Sequence, residues 1–337
     1  MNSLPELFLT RLQEIIPPDK YHSCLESFSS LHPLIVRVNS LKISREELLE
    51  FLRKLNIQFT EIPNILDALE LIHISSREFQ ETEIFKKGYV YCQGLSSMLP
   101  AIVLDPKPGE RVLDMCAAPG SKTTQMVALM QNRGSIVAIE AVRERYYKLK
   151  SVVDAQGAEI VSLRLMDARR FRPPRALPQP TGVRSRDSRH PRRDQPEPEL
   201  FDKILIDAPC SSEGRFKTND PKTYAFWSLH KIKEMVRKQR GILLSASRWL
   251  KPEGVLVYST CSFAPEENEG VIDWLLRKTQ GQLEIVPIEL PKIETTPAVL
   301  KWQGKDFHPQ FEHARRILPN QKMEGFFMVK LRRTYVR

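Results

Sequence analysis

Two of the five cysteines stand where a thiol can meet a ligand. Cys210 lies in the run DAPCSSEG that opens with Asp207, and Cys261 in YSTCSFAPEENEG. Each follows a short apolar run, 203–207 for the first and 255–258 for the second, and each is followed by a polar turn. A thiolate is a nucleophile, and a polar strand mouth lowers a thiol's pKa. One cysteine at a strand end is ordinarily core filling. Two, at the ends of two such runs, point to one site. The other three, Cys24, Cys92 and Cys116, are scattered, and no CxxC pair exists. Neither a zinc site nor a disulfide framework is expected, so no metal is assigned.

A second group of residues has the chemistry of a cofactor site. The stretch CAAPGSKTT, starting at Cys116, is neither a phosphate-binding GxxxxGK[ST] loop nor a GxGxxG dinucleotide fingerprint. It is a turn of small residues, Ala117, Ala118, Pro119 and Gly120, running through Ser121 and Lys122 into a helix. Such a turn lets backbone approach a ligand, and the helix N-terminus favours a carboxylate. Glu140 ends the next apolar run, about twenty residues on, where an acid accepts hydrogen bonds from ribose hydroxyls. Asp167 ends the third run and suits an exocyclic amine. Carboxylate, ribose and adenine together describe S-adenosylmethionine.

A thiol beside a methyl donor suggests one reaction. Carbon 5 of cytosine is too weak a nucleophile to take a methyl group directly. A thiolate adding to carbon 6 turns the ring into an enamine, and carbon 5 becomes nucleophilic. After methyl transfer a base removes the carbon-5 proton and the thiol is eliminated. An acid at N3 assists the addition, a role open to Asp207, and a second cysteine can assist elimination.

The elements that must position these groups follow from hydrophobic patterning. The apolar runs at 111–117, 135–140, 160–167, 203–209 and 254–262 alternate with helix-like segments at 121–131, 143–156 and 230–250. Near-continuous apolar strands separated by helices indicate a doubly wound, mostly parallel α/β sheet, which binds ligands outside the carboxyl ends of its strands. Runs at 283–288 and 325–333 can complete it. Residues 1–94 read as a small α+β unit, with a capping box at Ser44 and Glu47, and 95–337 as the larger domain. Residues 169–199, rich in Pro and Arg and poor in apolar side chains, are expected to be a disordered insertion.

Net charge is +10 and the pI is near 9.3, which favours a polyanionic partner. No apolar run approaches the roughly 18 residues of a membrane span, and the first twenty residues do not read as a signal peptide. The expectation is a cytoplasmic, monomeric protein that binds nucleic acid.

These motifs resemble the Nop/Sun-type RNA (cytosine-5) methyltransferases, which use S-adenosylmethionine. The likeness rests on CAAPGSKTT, DAPCSSEG, YSTCSFAPEENEGVIDWLL and the late RRILPNQKMEGFFMVKLRR, and covers roughly 90–335. It implies a Rossmann-like methyltransferase domain, with Cys261 as the nucleophile and Cys210 releasing the methylated product. It places the cofactor on 116–122, Glu140, Asp167 and Asp207, while Cys116 itself reads as packing. The implied substrate is unstacked RNA, ribosomal or transfer, with ribosomal RNA slightly favoured. Two alternatives remain: a DNA cytosine-5 methyltransferase attacking through Cys210, and a non-catalytic RNA-binding assembly factor.

Overall fold

The computed structural model describes residues 4–173, 199–290 and 293–334. Two helices lead, α1 (Glu6–Ile15) and α2 (Pro18–Ser27). A small unit follows: β1 (Leu34–Val38), α3 (Arg45–Lys54), β2 (Gln58–Glu61), β3 (Ala68–Ile72), the short α4 (Ser76–Gln80) and α5 (Glu83–Lys86), and β4 (Val90–Cys92). Its sheet is antiparallel in the order β2-β3-β1-β4. The capping box at the start of α3 forms as expected, Ser44 accepting from the Glu47 amide and Glu47 from the Ser44 amide. The polar edge strand β2 carries no apolar alternation and was not legible.

The larger unit opens with α6 (Leu95–Leu104), then alternates β5 (Arg111–Asp114), α7 (Ser121–Leu129), β6 (Ser135–Glu140), α8 (Arg143–Gln156), β7 (Val161–Leu165), β8 (Phe201–Asp207), α9 (Leu229–Trp249) and β9 (Leu250–Thr260). After α10 (Glu269–Thr279) come β10 (Leu283–Val286), three two-residue strands β11 (Thr296–Pro297), β12 (Lys301–Trp302) and β13 (Lys305–Asp306), then β14 (Arg315–Ile317) and β15 (Phe326–Arg333). The main sheet runs β11-β14-β15-β9-β8-β5-β6-β7, with β10 paired to β15. Strands β5 to β9 are mutually parallel, and β15 closes against β9 antiparallel. The doubly wound, mostly parallel sheet is present, and both late runs join it.

Burial explains the patterning. Strands β5 and β6 are covered on both faces, so their residues from Val112 and Ile136 onward are almost all buried apolar. One face packs on α9 and α10 through Ile242, Leu243, Val271 and Leu275. The other packs on α6, α7 and α8 through Met98, Leu99, Met126, Val127 and Leu149. Helix α6 is apolar nearly all round and is buried nearly all round, so it gives no amphipathic signal.

Helix α1 packs with the larger sheet and not with β1–β4, whose own cluster runs from Val36 to Val90. Its Phe8 lies 4.9 Å from Phe216 and 6.5 Å from Phe263, ring centre to ring centre, beneath the loops that carry both cysteines. The two units are also joined by hydrogen bonds. Arg37, 2% exposed, donates to Gln93 and to Thr124 of α7, and Asn39 donates to the Gln156 carbonyl of α8.

The segment expected to be disordered, 169–199, falls outside the described residues over 174–198. Its first residues correct that boundary: Ala168–Arg170 form a 3-10 turn and Phe171 is buried. Among the described residues no helix is long and apolar enough to cross a membrane.

Candidate active site

Strand β5 sits between β6 and β8, where the chain's winding reverses, and a cavity of about 740 Å³ opens at the carboxyl ends there. Cys116, Ala117, Ala118, Pro119, Ser121, Lys122, Glu140, Asp167, Asp207, Cys210 and Cys261 all line it. Gly120 sits in the same turn but is not among the lining residues. It has φ of 112°, and a β-carbon there would lie 2.9 Å from Val152 Cγ1, so glycine serves the turn and its packing on α8.

The small-residue loop is held by a group the sequence reading passed over. Asp114, 1% exposed, accepts from Thr123 Oγ1 at 2.7 Å and from the Cys116 amide at 3.4 Å. Burial pushes its carboxyl up to about 6. Glu140 is 5% exposed and accepts from the Val142 amide at 2.7 Å. Its other oxygen is 3.4 Å from the Arg145 guanidinium, which also donates to the Ala118 carbonyl. Asp167 holds Arg169 through both oxygens, at 2.9 and 3.0 Å to Nε, and that contact keeps its carboxyl below the usual range. Burial, followed by Asp114 and its fellow carboxylates, pushes the Cys116 thiol well up, in keeping with packing. The donor set fits an adenosyl cofactor: a wall of small residues, the N-terminus of α7, and carboxylates at Glu140 and Asp167.

The reactive end is built by parallel pairing of β8 and β9. Register sets Asp207 opposite Ser259, and the Ala208 amide donates to the Ser259 carbonyl at 2.9 Å. The two loops therefore leave the sheet together, and the Gly214 amide donates to the Cys261 carbonyl at 2.7 Å. Cys210 Sγ lies 3.4 Å from Cys261 Sγ. Either sulfur can donate in this contact; together with burial it raises Cys210 well above the ordinary thiol value. The same contact, with Arg215 nearby, lowers Cys261. Asp207 stands between the two ends, accepting from Ser259 Oγ at 2.8 Å and ion-paired to Lys122 Nζ at 2.7 Å. Lys122 also donates to Ser97 Oγ at 2.8 Å.

The turn after Cys261 is not the solvated loop its composition suggests. Glu267, Asn268 and Glu269 are fully buried. Glu269 forms an ion pair with Arg316 at 2.6 Å, and Arg316 donates to the Phe263 carbonyl at 2.9 Å. Glu213 accepts from the Phe263 and Ala264 amides at 2.9 and 2.8 Å and from Trp227 Nε1 at 2.7 Å. Glu267 accepts from the Ser211 amide and from Gln239. Charged residues carry no periodic signal of burial, so these were missed.

Comparison with known proteins agrees with the geometry. The family model described as 16S rRNA methyltransferase RsmB/F matches residues 101–332, and one described as an RsmF/B-like ferredoxin-like domain matches 4–75. A tRNA (cytosine(49)-C(5))-methyltransferase of Pyrococcus abyssi is 35% identical over 91% of this chain and 89% of its own. Ribosomal RNA small subunit methyltransferase F of an Enterobacter species is 34% identical over 98% of this chain but 64% of its own length. Among solved structures, a methyltransferase homologue from Pyrococcus horikoshii superposes with a TM-score of 0.77 at 30% identity, over 98% of this chain and 96% of its own.

Proposed function

The chain belongs to the RsmB/F family of RNA (cytosine-C5)-methyltransferases, and on that premise we propose that it methylates carbon 5 of an RNA cytosine with Cys261 as nucleophile and Cys210 as its helper in product release. The observation that carries this reading is the 3.4 Å thiol pair beside Asp207, in the cavity that the cofactor loop also lines.

Cys261 is the thiol with the lowered pKa, so it adds to carbon 6 as a thiolate. Asp207, protonated from solvent, donates that proton to N3 as addition drives charge onto the base, and Lys122 then balances the carboxylate that remains. S-adenosylmethionine, when bound, supplies the methyl group. Glu140 takes the ribose hydroxyls, Asp167 the adenine amine, and the 116–119 backbone with the α7 N-terminus the carboxylate. A general base then takes the carbon-5 proton, the carbon 6–sulfur bond breaks to release Cys261 as thiolate, and Cys210 is adjacent to assist that elimination. The base must leave its stack to enter the cavity, so the substrate is a loop or unpaired stretch of RNA.

Cys261→Ala and Cys210→Ala are incubated separately with ribosomal and transfer RNA and methyl-labelled S-adenosylmethionine, then run on denaturing gels. Cys261→Ala gives no label, and Cys210→Ala accumulates a slow-migrating protein–RNA adduct. The wild-type labelled band identifies the RNA class. If Cys210→Ala loses label and adduct while Cys261→Ala keeps them, the roles are reversed.

A further inference from the structure

The paired thiols lie between opposite charges. On the side of Cys210 is the buried carboxylate of Glu267. It accepts from the amide of Ser211, the next residue, at 3.0 Å, and from the Ser211 hydroxyl. It also accepts from Ser262 Oγ at 2.9 Å and Gln239 Nε2 at 2.8 Å. Gln239 in turn donates to the carbonyl of Pro209, the preceding residue, at 2.9 Å. Glu267 is thus tied to the backbone on both sides of Cys210, and all of these donors are neutral. On the side of Cys261 is Arg215. Its neighbour Gly214 donates to the Cys261 carbonyl, and Arg215 itself lines the same cavity. Its ion pair with Glu324 is loose, at 3.4 Å.

Two thiols in contact share protons as a unit, and the local field decides which sulfur keeps the last one. We propose that Glu267 and Arg215 polarise the pair, the carboxylate holding the proton on Cys210 and the guanidinium leaving the thiolate on Cys261, so that these two residues decide which cysteine attacks. This rests on Cys261 being the nucleophile. Glu267 acts through Cys210 and is a positioning residue.

Charge effects on the thiols agree. The negative charge of Glu267 raises Cys210, and Arg215 lowers Cys261 against the opposing pull of Asp207 and Glu324. The titratable groups around Glu267 are Glu213 across the shared Ser262 hydroxyl, Cys210, and Tyr258 of β9, whose hydroxyl donates to the Glu267 carbonyl. Arg11 of α1, paired with Glu266, lies beyond Glu213, and α9 contributes the uncharged Gln239. Burial, reinforced by Glu213, pushes the Glu267 carboxyl up to about 7. The polarisation therefore strengthens as pH rises through neutrality.

The test is iodoacetamide alkylation of wild type, Glu267→Gln and Arg215→Gln from mildly acidic to mildly alkaline pH, each cysteine read by peptide mass spectrometry. In wild type Cys261 is modified well ahead of Cys210. In Glu267→Gln the ratio falls on the order of tenfold, and its rise through neutral pH is lost. Arg215→Gln lowers the ratio by slowing Cys261; its side chain is 62% exposed, so this variant carries the test if Glu267→Gln does not fold. An unchanged ratio in the folded variants overturns the proposal, and if Cys261→Ala still abolishes methyl transfer, the nucleophile assignment survives. Methyl transfer that persists in Cys261→Ala overturns both.

Discussion

Lys122 and Asp207 meet at 2.7 Å, and that ion pair joins the two halves of the site. Lys122 opens α7 behind the cofactor loop, while Asp207 ends the strand that leads to Cys210. Lys122 is 7% exposed, so the contact is far better shielded from water than a surface pair.

Asp207→Asn removes the carboxyl that, in the proposed function, faces the base, and leaves Lys122 without its ion-pair partner. The expected loss in kcat/KM for methyl transfer is on the order of a hundredfold to ten-thousandfold. Lys122→Met also lowers it. Because the pair acts as a unit, the double variant loses clearly less than the product of the two single losses. Initial rates with labelled S-adenosylmethionine check this, and full additivity would separate the two residues.

In the proposed function Glu140 bears on the cofactor alone. Glu140→Ala removes the acceptor for ribose hydroxyls and strands the Val142 amide it now satisfies. Affinity for S-adenosylhomocysteine, measured by titration calorimetry, should weaken roughly 10- to 100-fold. Adduct formation by Cys261 with RNA does not require the cofactor and should change little by comparison.

The carboxyl of Glu267 gives a stability signature. Its folded pKa, about 7, lies above the ordinary value of 4.5, so folding favours the protonated form. The contribution is complete below 4.5 and disappears as pH rises to 7. At 1.36 kcal/mol per unit, wild type loses on the order of 3 kcal/mol across that window relative to Glu267→Gln, which has no proton to lose. Urea denaturation of both proteins at several pH values measures the difference. Parallel curves would mean that the carboxylate is not strained by burial.

The residues with the most chemistry were legible in the chain itself. Cys116 to Lys122, Glu140, Asp167, Asp207, Cys210 and Cys261 each end or follow an apolar run; the inner parallel strands must be apolar on both faces, while β7, before Asp167, is a half-exposed edge strand. From run ends alone, a shared cavity follows. The pattern failed where burial is polar. Asp114, Glu213, Glu267 and the Glu269–Arg316 pair are as deep as any leucine, yet their types read as surface. Nor does the pattern show that Gly120 is packed so closely on Val152 that a β-carbon would not fit.

What the sequence by itself determined is therefore the order of strands and helices and the identity of the groups at the strand ends, since these depend on local periodicity. What only the tertiary structure decided is which of those groups touch. The 3.4 Å between Cys210 and Cys261 comes from the register of β8 on β9, and their unequal environments come from Glu267 and Arg215, brought in by hydrogen bonds across loops distant in sequence. Local periodicity cannot carry that information, because contacts between residues fifty positions apart depend on how the strands pair and not on the pattern within either one.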